Sequence, residues 1–353
     1  MGRSLDIRAG AVALAHIRER GLAPADVAVL AGAAGGPKAL GLQGLDLALF
    51  GDWLRREACA PRSLIGASVG SWRFASVCLP DPVAGLRRLG DLYTAQRFPK
   101  GITVAEISRR CATMLDDLVG DELQTILHNT DYRLNILIAR SKGLIARDHR
   151  LPLSLGLAAV VSANLLHRRL IGRFFERVVA HDPRLPPPLH PLSDLPSHAM
   201  ALSHDNLKPT LLASGSIPMI MNAIEVPGAP EGVYRDGGLT DYHLDLPYRG
   251  EGLVLFPHFT DRVIPGWFDK GIPWRRHNPK WLERVVLVSP SREYLQRLPH
   301  QKLPDRKDFS RYLGNDVGRE RYWRKAMSES QRLGEEFLAL VDSGRIKDAV
   351  LPL

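Results

Sequence analysis

The chain has 353 residues, 45% of them hydrophobic, which is enough to bury a large core within one big domain or two ordinary ones. Its 47 Lys and Arg against 38 Asp and Glu give a formal charge of +9, which suits an anionic partner or simply a charged, soluble surface. No zinc-finger spacing, basic zipper helix or stacking-aromatic RNA motif is present, so no nucleic acid is expected, and the three cysteines, Cys59, Cys78 and Cys111, are too few for a disulfide framework or a metal site.

The first residues lack the apolar stretch of a secretory signal, and Asp6 stands where a myristoylation pattern needs Ser or Thr. With the longest apolar runs, such as 155–161, too short for a bilayer, a cytoplasmic setting is expected. An amphipathic helix is predicted over 10–20, then a short buried strand over 27–30, a loop of small residues, and a leucine-rich helix over 38–54. A second strand, 63–65, runs into Gly66-Ala67-Ser68-Val69-Gly70 and a helix over 71–78. Pro80-Asp81-Pro82 breaks the chain, helices fill 83–96 and 104–128, and a strand covers 132–143. After a basic, apolar stretch (155–182) and a proline-rich break (184–191), "NLKPTLLASGSIPMIM" reads as a short helix ending in a turn. "GVYRDGGLTDYHLDLP" gives a strand and a glycine turn, 252–259 and 283–291 two further strands, and 317–341 a long charged helix. Strands separated by helices predict an α/β fold: one three-layer α/β/α domain over 1–280 with a central, mostly parallel sheet, and a C-terminal extension, 281–353, packed on it.

Three small motifs carry chemistry. A serine between glycines, where an apolar strand hands over to a helix, is either a tight turn or a nucleophile held clear of the backbone at a helix N-terminus. The loop "LAGAAGGPKALGL" (30–42) leaves backbone N–H groups free at a strand-to-helix junction. It matches neither a P-loop, because Lys38 is followed by Ala39, nor the dinucleotide fingerprint. An oxyanion hole built from Gly35 and Gly36, with Lys38 as a nearby charge, fits better; close helix–strand packing is the structural alternative. Asp236 of Asp236-Gly237-Gly238 is either a turn-former or the base that a serine hydroxyl needs.

In this order, Ala34-Gly35-Gly36-Pro37-Lys38-Ala39, Gly66-Ala67-Ser68-Val69-Gly70 and Asp236-Gly237-Gly238 resemble the motifs of the patatin-like phospholipases, over roughly residues 27–245. Ala34 and Ala39 depart from the family's glycines in the first motif. The resemblance implies a serine acyl hydrolase that cleaves carboxylic esters of lipids, with Ser68 as nucleophile, Asp236 as general base, Gly35, Gly36 and Lys38 around the oxyanion, and no metal or cofactor. A Ser-His-Asp arrangement is the rival, since His243 and His258 follow Asp236 as the α/β-hydrolase order requires. A catalytically inactive, membrane-associated protein is another. Segments 165–175 and 262–276 mix aromatic or aliphatic residues with arginines, as peripheral contact with an anionic membrane would use; buried core beside solvated charge is the plainer reading.

Overall fold

The computed structural model describes residues 3–353. Its ten strands are β1 (Leu5–Ala9), β2 (Val27–Gly32), β3 (Arg62–Ala67), β4 (Tyr132–Ser141), β5 (Phe175–His181), β6 (Ser197–Ala201), β7 (Val233–Asp236), β8 (Leu253–Pro257), β9 (Val285–Pro290) and β10 (Val350–Pro352). They form one sheet in the order β10-β1-β9-β8-β2-β3-β4-β5-β6, with β7 paired to β4 outside this path. The central run β9-β8-β2-β3-β4 is parallel, while β1 on β9, β5 on β4 and β7 on β4 are antiparallel. Helices flank this mostly parallel sheet, so the architecture is the expected three-layer α/β/α one. The central strands are apolar along nearly their whole length because both faces are covered; β3, β8 and β9 are buried at every position.

β4 acts as the ruler of the molecule. Its first half pairs with β3, ending at Ala67 opposite Leu137. Its second half pairs with β7, beginning with Asp236 opposite Ile138. β3 and β7 therefore abut end to end along one edge of β4, and residues far apart in sequence meet there.

Four strands escape the sequence pattern. β1 carries Asp6 and Arg8 on its outward side, and β10 is three residues long. β5 lies inside the basic stretch, where Arg177 is fully buried because it forks onto Asp241 and Asp194. β6 is an edge strand exposed at most positions. The predicted helix over 317–341 is two helices, Asp316–Glu329 and Gln331–Asp342, divided at Ser330. The Ser330 hydroxyl accepts the Gly44 N–H at 2.8 Å and donates to the Met327 carbonyl at 2.6 Å, so the break docks onto the helix Gln43–Gly51.

The segment beyond residue 280 is built into this sheet. β9 lies between β1 and β8, and β10 closes the outer edge of β1. Phe337, fully buried, meets Trp53 edge to face with ring centroids 5.1 Å apart. Truncation of that ring, Phe337→Ala, is expected to lower the stability of the whole chain by about 3–5 kcal/mol in one cooperative transition. Urea unfolding followed by both circular dichroism and tryptophan fluorescence measures it, and a separate, early loss of the C-terminal helices alone would contradict it.

Candidate active site

Ser68 stands between the last residue of β3 and the helix Val69–Val77, with φ 54° and ψ −129°. An L-residue held there costs about 1–3 kcal/mol, so its surroundings must impose the conformation. Ser214, in the helix His204–Gly215, does so. Its hydroxyl accepts the Ser68 N–H at 2.9 Å and donates to the Leu137 carbonyl at 2.8 Å. With its single proton thus committed, it accepts from the Ser71 hydroxyl 3.0 Å away. Gly70 is required by space: a Cβ there would lie 1.9 Å from the Gly32 carbonyl oxygen. On the far side of the same helix, Arg73 forks onto Asp46 at 2.9 and 2.5 Å, a fully buried pair that fixes the helix to Gln43–Gly51.

The Ser68 hydroxyl donates to Asp236 Oδ2 at 2.8 Å, and both side chains are buried. Oδ1 of the same carboxylate accepts the Gly238 N–H at 2.7 Å, which fixes the plane of the acid. Burial raises the Asp236 pKa above the 3.8 of an ordinary aspartate, against the opposing pull of the Ser68 and Gly238 hydrogen bonds and the Arg306 and Lys270 charges. The carboxylate is therefore a stronger proton acceptor than its type.

Gly35 and Gly36 follow β2, the strand beside β3, and line the same cavity as Ser68 and Asp236. Gly36 takes φ +56°. Among the described residues neither glycine's N–H donates to a group of the protein, so both remain available to an oxygen in the cleft.

Lys38, expected as a nearby charge beside the two glycines, faces a different way from them. Its ammonium lies over the Phe259 ring, 4.4 Å from the centroid, in a neighbouring cavity with His243, Lys270 and Asp305, and it does not line the cavities that reach Ser68. It sits in the 3₁₀ turn Gly36–Leu42, directly after Pro37. Arg306 is the cation that lines both cavities at Ser68, and it comes from the segment set aside as an extension. No spacing around "LPDRKDF" marks it in the sequence. Ser214 was legible only as part of the "ASGSIP" turn.

His243 and His258 do not complete a triad. Each presents Nδ1 to a backbone N–H, Ile264 for His243 and Thr260 for His258, both at 3.1 Å, and the two rings pack 4.2 Å apart. Neither hydrogen-bonds to Ser68 or Asp236. Burial keeps both neutral, with His258 lowered to about 3 and His243 well below the ordinary range. Among the described residues no group of His, Cys, Asp and Glu is placed to hold a metal ion.

Two cavities meet at Ser68. One, of about 280 Å³, is walled by Trp72, Phe98, Ile107, Met114, Met221 and Phe309 and is almost wholly apolar. The other, of about 480 Å³, contains Gly35, Gly36, Asp236, Tyr242, Trp267 and Arg306. A hydroxyl paired with a buried carboxylate, open amides and an apolar chamber can together attack an acyl carbon, hold a negative oxygen and shelter an acyl chain. The chain matches no protein-family model and no curated protein.

Ser214→Ala removes the partner of the Ser68 N–H and leaves the Leu137 carbonyl and Ser71 hydroxyl unmatched in a buried place. It is expected to cost about 1–3 kcal/mol of stability, read from the urea midpoint. A loss no larger than that of an exposed serine, such as Ser154→Ala, would show that the elbow does not depend on it.

Proposed function

We propose that the protein is a serine acyl hydrolase of the patatin-like kind, cleaving the carboxylic ester of a lipid through a Ser68–Asp236 dyad. The observation that carries this reading is the 2.8 Å hydrogen bond from the Ser68 hydroxyl to the Asp236 carboxylate at a strained strand-to-helix corner. Ser68 Oγ attacks the ester carbonyl carbon as its proton passes to Asp236 Oδ2. The carbonyl oxygen, now negative, is met by the Gly35 and Gly36 N–H groups and by the amide end of the helix Val69–Val77. Asp236 then returns the proton to the departing alkoxide, leaving an acyl-serine. Water, losing its proton to the same carboxylate, attacks this acyl group, and the acid leaves as Ser68 regains its hydrogen.

The substrate's two halves divide between the two cavities. The apolar chamber suits the acyl chain, and the larger cavity, carrying Arg306 with Lys307 at its rim, suits a polar alcohol portion bearing negative charge. A basic protein acting on anionic lipid also accords with the net charge of +9.

Ser68→Ala and Asp236→Asn are each expected to lower kcat on a p-nitrophenyl ester by about four orders of magnitude. Full activity in either variant would falsify the dyad. The asparagine can keep both hydrogen bonds, Oδ1 to the Gly238 N–H and Nδ2 to the Ser68 oxygen, while removing a charge that burial disfavours. A carboxyl whose folded pKa is raised supports stability below its unfolded pKa and loses that support as pH rises through the folded one. Asp236→Asn should therefore melt at or above the wild-type temperature at neutral pH, measured by calorimetry.

The base works only when ionised. kcat/KM is expected to fall tenfold per pH unit on the acid side, below an apparent pKa higher than 3.8, with no limb from His243 or His258. His243→Gln and His258→Gln, assayed across pH, should leave that limb in place.

A further inference from the structure

The helix Arg150–Leu166 has the composition of a buried element and the position of a surface one. From Leu151 to Leu166 it carries no charged residue, and its inward side, Leu153, Gly156, Val160 and Asn164, is already packed against the fold. The outward side is apolar as well: Leu166 is 81% exposed, Leu151 72%, Leu155 57% and Leu165 53%. A helix that is hydrophobic all round calls for a second apolar neighbour. Among the described residues no helix is long and apolar enough to cross a membrane, so this one would lie in the plane of a surface.

The chemistry of its rim identifies that surface. No Asp or Glu occurs in 149–175, where Arg150, Arg169 and Arg173 are exposed at the two ends of the helix, and Asp148 just before it is paired with Arg235. The Trp-bearing segment that follows β8 is tied to the same helix, with Asn164 Nδ2 donating to Asp269 Oδ1 at 2.8 Å and Arg275 Nη2 donating to the Asn164 carbonyl at 2.7 Å. It presents Trp274, 69% exposed, beside the exposed Arg276. Apolar side chains bordered by exposed arginines and an interfacial tryptophan match an anionic bilayer, into which the apolar groups insert while the guanidinium groups meet headgroup phosphates. A second copy of the chain fits worse, because a symmetric pairing would bring the two arginine rims together.

The face is continuous with the catalytic cleft. Leu157 of this helix and Trp267 of the tied segment line the cavity that holds Ser68, Asp236 and the two glycines. We infer that the helix Arg150–Leu166, with Trp267 and Trp274, docks the protein on an anionic lipid bilayer and turns the mouth of the cleft toward it. Delivery of substrate by this route rests on the hydrolase reading; the docking itself does not.

Co-sedimentation with vesicles tests it. Wild type and Ser68→Ala are compared on phosphatidylcholine alone and on equal parts phosphatidylcholine and phosphatidylglycerol, next to the double variant Leu155→Glu/Leu166→Glu. Both changes fall at exposed positions, and unfolding curves check that the fold is kept. Wild type and Ser68→Ala are expected to bind the mixed vesicles alike and the neutral ones several-fold less. The double variant should lose at least about tenfold in partitioning while hydrolysing a soluble short-chain ester at the wild-type rate. Undiminished binding by the double variant overturns the inference. So does a wild-type dimer that ignores vesicles and that the double variant dissolves into monomers, since a second copy would then cover the face. Vesicle binding lost in the double variant, in a wild type that hydrolyses no ester, upholds the docking and removes the hydrolase reading alone.

Discussion

The edge of β4 is the constraint on which the candidate site depends. Two strands share it, β3 up to Leu137 and β7 from Ile138, so Ser68 and Asp236 are brought to one seam by backbone pairing. Backbone ladders hold positions more tightly than loops do, and a side-chain hydrogen bond of 2.8 Å between residues so far apart in sequence is the kind of tolerance that needs them. Ser214 reaches into the same seam, joining the carbonyl of Leu137 to the amide of Ser68. One hydroxyl thereby couples the end of the ladder to the strained corner.

Electrostatics act on that geometry in two opposed ways. Burial of Asp236 disfavours its charge and makes it more basic, while Arg306 and Lys270 keep the charged form within reach. A carboxylate wholly stripped of such support would sit protonated and useless as a base; one fully paired with an arginine would be too weak. Asp46 beside Arg73 shows the same contest, since burial raises its pKa against the pull of the guanidinium, while the pair anchors the helix that begins at Ser68. The histidines illustrate the opposite outcome, since their burial without a carboxylate partner leaves them uncharged and attached to the backbone of 260–264.

The sheet's centre and the motifs that meet at Ser68 and Asp236 are legible because each has a local signature: continuous apolar runs for β2, β3, β8 and β9, and small residues around Ser68 and Asp236. β1, β5, β6 and β10 are not, since their character comes from neighbours. Arg177 reads as a charge that ends a strand until Asp241 and Asp194 are placed beside it. The direction of Lys38 is hidden for a related reason: sequence places it two residues from Gly36, whereas its ammonium lies over the Phe259 ring, more than 200 residues away along the chain. Arg306 had no local mark at all, because its relevance arises only when the chain beyond β9 folds back over the cleft.

That return of the chain bears on how the molecule folds. Among the described residues β1, at positions 5–9, pairs with β9 (Val285–Pro290) and β10 (Val350–Pro352), strands that lie far along the chain from it. Closure across such sequence separation is slow. Pairing along this border of the sheet therefore belongs with the slower contacts of the fold, made between segments that most of the described chain separates.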